Sequence, residues 1–167
     1  MIEEKFTGPM VWDAETPFPN DGIATLDDTC QAEIAAVAQL LRDNPLPTEA
    51  LMPGDFDMPA CKTVMEGVRE TVDNGTGFAV VDRLDVDGLG RDIATKIYWL
   101  LMYMTGRPVA QKWDGTMVYD VHDTGGKATP GSGIRSSKTN GGQGFHNDNA
   151  FNLPPDFVAL FCLQTAK

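Results

Sequence analysis

Residues Phe157-Val158-Ala159-Leu160-Phe161-Cys162-Leu163 form an unbroken apolar run behind Pro154-Pro155. So short a run suits a strand covered on both faces better than a helix. Such a strand cannot stand alone, because its backbone N–H and C=O groups need neighbours. The run therefore asks for a sheet, and residues 78–81, 117–121 and 145–149 are the segments expected to supply it. A sheet of so few strands keeps an open edge, which invites aggregation unless another segment covers it. Further chain or a partner chain is expected to complete it.

Ahead of the sheet the pattern is mostly helical. Leu26-Asp27-Asp28-Thr29 offers capping side chains, and Cys30, Ile34, Val37 and Leu41 follow at helical spacing until Asn44-Pro45. Residues 45–60 hold Pro45, Pro47, Pro53 and Pro59 and read as a surface connection. Val64, Val68 and Val72 then mark a second helix, with Gly75 expected to close it in the left-handed conformation. Residues 85–104 form the strongest helical pattern, with Leu89, Ile93, Ile97, Leu101 and Met104 on one stripe. Tyr98, Trp99 and Tyr103 widen that stripe and read as core. Met10-Val11-Trp12 suggests a short strand. Residues 123–144 are rich in Gly, Ser, Thr and Lys, a loop long enough to suggest function. The expected organisation is a single domain over residues 1–167, with a helical and loop region at 1–76 and a sheet region at 77–167.

Composition removes several classes of function. Thirteen basic residues against 24 acidic ones leave a formal charge of −11. Nucleic acid and anionic membranes repel such a chain, and no basic patch offsets the charge. Cys30, Cys61 and Cys162 are odd in number and widely spaced, unlike a disulfide framework or a zinc knuckle. Cys30 and Cys162 sit in apolar patterns and read as small core residues. The N-terminus lacks the pattern of a signal peptide, and no apolar stretch reaches membrane-spanning length, so a cytoplasmic setting is expected.

Chemistry concentrates in Gly141-Gly142-Gln143-Gly144-Phe145-His146-Asn147-Asp148-Asn149-Ala150-Phe151-Asn152. On a strand, His146 and Asp148 face the same way, because side chains alternate with period two. A neutral imidazole and a carboxylate on one face are two members of a 2-His-1-carboxylate iron site. The glycines let the backbone approach a ligand, and Phe145 and Phe151 can wall off water. Gln143 and Asn149 are candidate pocket groups, and Arg135 is a candidate for binding a carboxylate. His122, the other histidine, opens an alternative in which His122, His146 and Asp148 serve a different mononuclear metalloenzyme.

Residues 145–152 together with Pro154-Pro155-Asp156-Phe157-Val158-Ala159-Leu160-Phe161-Cys162-Leu163-Gln164-Thr165-Ala166 resemble the first metal-ligand region of the TauD/TfdA dioxygenases and their clavaminate synthase-like relatives. Gly133-Ile134-Arg135-Ser136-Ser137-Lys138-Thr139-Asn140 resembles the strand leading into it, and residues 77–121 match more loosely. The resemblance implies an α+β fold: a double-stranded β-helix, or jelly roll, with flanking helices and incomplete at its C-terminal end. It implies an Fe(II)- and 2-oxoglutarate-dependent oxygenase that uses O2 to hydroxylate an unactivated C–H bond of a small molecule. His146 and Asp148 would be metal ligands, with the cosubstrate converted to succinate and carbon dioxide. The family takes its second histidine and a cosubstrate-binding arginine from later in the chain, and neither lies within these residues. A competing expectation is a non-catalytic jelly-roll fragment acting as a binding or assembly module.

Overall fold

In the computed structural model, which describes residues 5–13, 22–126, 138–142, 146 and 154–165, Asp27 opens the first long helix. Its carboxylate accepts the Cys30 backbone N–H at 2.9 Å, satisfying a donor that the first helical turn leaves without a partner. The helix, α1, runs Asp28–Asp43 and buries Cys30, Ile34, Val37, Ala38 and Leu41. Asn44 ends it, with its N–H on the Leu40 carbonyl. The second helix, α2, runs Pro59–Asn74. It starts earlier than its valine stripe suggests, because proline fits the first helical position, where its missing N–H costs nothing. The proline-rich connection before it contains two 3-10 turns, Thr48–Ala50 and Pro53–Asp55.

Gly75 ends α2, but not in the left-handed conformation expected: its φ is −100°. Glycine is needed there for another reason. A Cβ at this position would lie 2.7 Å from the Thr71 carbonyl oxygen.

The helix expected over residues 85–104 divides in two. A single turn, α3, spans Val86–Leu89 and is capped by Asp85, which accepts the Gly88 N–H. The long helix α4 then spans Arg91–Thr105. Gly90 lies between them at φ +78°, outside the right-handed helical region, so the helical path breaks there. Helix α4 packs against both α1 and α2 and carries the centre of the core, with Ile97, Leu100 and Leu101 fully buried. Trp99 is buried too, as its aromatic character suggested, and its indole N–H donates to the Leu51 carbonyl at 2.9 Å. Lys96 also lies on the buried side, yet its ammonium reaches the exposed Asp92 carboxylate at 2.6 Å.

Two short strands accompany the helices. Strand β1, Ile23–Thr25, pairs in parallel with β2, Val80–Asp82, with Ile23 opposite Val80 and Thr25 opposite Asp82. Helices α1 and α2 lie between them in the chain and supply the long crossover that parallel strands require.

The jelly-roll expectation is therefore corrected: among the described residues the fold is mainly helical, with one sheet of two parallel strands. Of the four segments expected to form a sheet, 78–81 alone overlaps a strand among the described residues. Residues 117–121 form none, and within 145–149 only His146 is described. The 157–163 run is not a strand either, and Val158 and Leu160 are exposed. The physical reason lies in the partner requirement. Apolar content makes a strand only where another backbone takes up its hydrogen bonds, and β1 and β2 take up each other's.

The chain divides into two compact units, one of Met1–Pro108 with Leu160–Lys167 and one of Val109–Ala159. In the first, Phe161 stacks on Tyr98 of α4 with ring centroids 5.0 Å apart. In the second, the described residues form no helix or strand longer than a turn. Asp114 accepts both the backbone N–H and the hydroxyl of Thr116, and Lys112 sits 4.8 Å from the Tyr119 ring centre. Thr124 donates its N–H and its hydroxyl to the Lys138 carbonyl, each at 3.0 Å. Those two bonds close the base of the long loop.

Candidate functional site

Of the residues singled out for chemistry, His146 is described, and it is exposed rather than set in a strand. Asp148, Gln143, Asn149 and Arg135 lie outside the described residues. His122 is exposed and outside any strand. Among the described residues, no group of three or more His, Cys, Asp or Glu side chains is placed to hold a metal ion. By chemistry alone, an imidazole such as that of His146 and a carboxylate such as that of Asp148 are donor types that ferrous iron accepts, and they would be two of the three that a facial site needs. Just upstream, Gly141 donates its N–H to the Thr139 hydroxyl at 3.3 Å, and a Cβ on Gly142 would meet nothing within 4 Å among the described residues.

A second concentration of chemistry lies in the helical unit, where the sequence pattern indicates only packing. Cys30 and Cys61 are each the third residue of a helix, α1 and α2 respectively, and both are fully buried. The Cys61 thiol donates to the Cys30 carbonyl oxygen at 3.6 Å, which places its sulfur against the backbone of the other cysteine. A helix N-terminus ordinarily favours thiolate. Here carboxylates already occupy that position at both helices. Asp27 caps α1, while Glu33 reaches from α1 to accept the Ala60 and Cys61 N–H groups of α2 at 2.8 and 2.9 Å.

The electrostatics follow. Burial pushes the Cys30 thiol up, and the Asp27 carboxylate adds to that shift. Burial also pushes Cys61 well above the ordinary thiol range, with the Glu33 carboxylate reinforcing it. For Glu33, burial acts upward, but the amides of Cys61 and Ala60 outweigh it and hold the carboxyl below its usual value. Cys162, expected in the core with Cys30, is exposed instead. The position of Cys30 behind a capping aspartate was visible in the sequence. Its meeting with Cys61, 31 residues away, was not.

The helical unit also has an open cavity of about 520 Å³, lined mainly by apolar side chains, among them Met52, Phe56, Met58, Tyr103 and Met104. None of its lining residues belongs to the His146 motif. No described helix is long and apolar enough to cross a membrane. Comparison with models of known protein families and with curated proteins finds no match to this chain.

Proposed function

We propose that the chain carries part of the iron site of an Fe(II)- and 2-oxoglutarate-dependent oxygenase acting on an unactivated C–H bond of a small molecule. The observation that carries this reading is the sequence from Phe145 to Asn152, in which His146 and Asp148 stand two apart behind a glycine-rich approach. When bound, iron and 2-oxoglutarate supply oxygen activation, with the cosubstrate consumed to succinate and carbon dioxide. His146 contributes a neutral nitrogen and Asp148 a negative oxygen, a pairing that selects a divalent ion of intermediate softness. Gln143 and Asn149 are assigned to orienting the substrate, and Arg135 to pairing with an acidic group. Two protein ligands hold a divalent ion weakly. A complete site of this kind would need a second histidine and an arginine to grip the cosubstrate.

The test is an anaerobic Fe(II) titration of the protein and its His146→Ala and Asp148→Asn variants. Each variant is expected to bind about tenfold more weakly or worse, while His122→Ala leaves affinity unchanged. Equal affinity across the protein and both site variants would overturn the proposal. A loss confined to His122→Ala would move the metal elsewhere.

A second reading, an assembly module without catalysis, is favoured by Val158 and Leu160, which are 59% and 83% exposed in an apolar run. It predicts association that tracks protein concentration and ignores iron, read by sedimentation.

A further inference from the structure

We propose that Cys30 and Cys61 are a disulfide-forming pair whose oxidation staples the first turn of α1 to the first turn of α2. The placement argues for it. Both residues occupy the third position of their helices, the Cys61 sulfur lies 3.6 Å from the Cys30 carbonyl oxygen, and both are fully buried. Glu33 strengthens the arrangement, because its two bonds to Ala60 and Cys61 tie the start of α2 to the body of α1. The cysteines are therefore held in register by contacts that do not depend on the sulfurs.

The co-reactant is a small disulfide such as oxidised glutathione. One cysteine thiolate attacks it, forming a mixed disulfide and releasing one glutathione thiolate. The other cysteine thiolate then attacks the protein-side sulfur, which forms the Cys30–Cys61 bond and expels the second glutathione. Both cysteine protons end on the released glutathione thiols, and the two electrons lost by the protein reduce the reagent. Burial and the neighbouring carboxylates disfavour thiolate at both positions, so exchange needs the first helical turns to open. Once made, the bond closes a 31-residue separation and is shielded from reductant as the thiols are from oxidant.

The experiment uses the full chain with Cys162→Ser, which removes the exposed thiol, incubated with oxidised glutathione just below its unfolding transition. The expected product is a monomer lighter by two hydrogens that yields a Cys30–Cys61 linked peptide on non-reducing digestion. Its Tm should rise by roughly 5–10 °C and fall back on reduction. Adding Cys30→Ser should abolish both the link and the Tm change. Recovery of Cys30 and Cys61 as unmodified thiols, or as separate glutathione adducts, would overturn the proposal. The unsubstituted chain, treated in the same way, should yield the same linked peptide, which removes any dependence on the Cys162 substitution.

Discussion

Residues 26–105 and residues 109–159 are both supplied with apolar side chains, yet they use them in opposite ways. In α1, α2 and α4 apolar residues recur at three and four positions and disappear into a shared core. Among the described residues of Val109–Ala159 none is buried, and Trp113 is 98% exposed. The difference is one of partnership. A helix satisfies its own backbone hydrogen bonds and needs neighbours only for its side chains, whereas an extended segment needs a partner for both. The first region also holds chemistry at helix ends, where carboxylates and thiols are locked by caps.

Substitutions can break this contrast. Leu100→Ala in α4 should have the largest effect, a loss of about 3 kcal/mol in chemical denaturation, since the residue is fully buried and leaves a cavity. Trp113→Ala removes a larger side chain and should change stability by less than about 0.5 kcal/mol. Comparable losses for the two would erase the distinction between the regions. Gly75→Ala should cost about 2 kcal/mol in the same assay, because the added methyl meets the Thr71 carbonyl at 2.7 Å and one of them must shift. An unchanged midpoint would mean that the end of α2 relaxes freely.

Glu33→Gln sharpens the comparison from the side of charge, with a loss of about 1 kcal/mol at neutral pH. Its pH dependence has a definite sign. The folded carboxyl titrates below its ordinary value near 4.5, so its contribution is present above that value and drains away as the pH falls through the lower folded one. The gap between the protein and Glu33→Gln should therefore close on acidification. A gap that stays constant from neutral to acidic pH would show that Glu33 acts through packing alone.

Much of the helical unit is legible in the sequence because its signals are local. Asp27 before an apolar stripe and Asn44-Pro45 after it bound α1 closely, and Gly75 marks the end of α2. Trp99 is readable as core from its place on the α4 stripe. Gly90 is in plain view, but its power to divide a helix depends on the backbone angle it adopts, which periodicity does not encode. The 157–163 run misleads for a related reason: composition records what a segment can bury, not whether a neighbour stands beside it. At the candidate metal centre, the sequence places His146 and Asp148 two apart and names donors suited to iron.

The Asp27 cap and the helical periodicity of α1 were settled by the sequence, because each depends on residues within a few positions of one another. Strand pairing and the meeting of the two thiols belong to tertiary structure. Ile23 finds Val80, Cys30 finds Cys61, and Glu33 finds the start of α2 only after α1 and α2 pack. Those contacts join residues 27 to 57 positions apart, and packing is what brings them together.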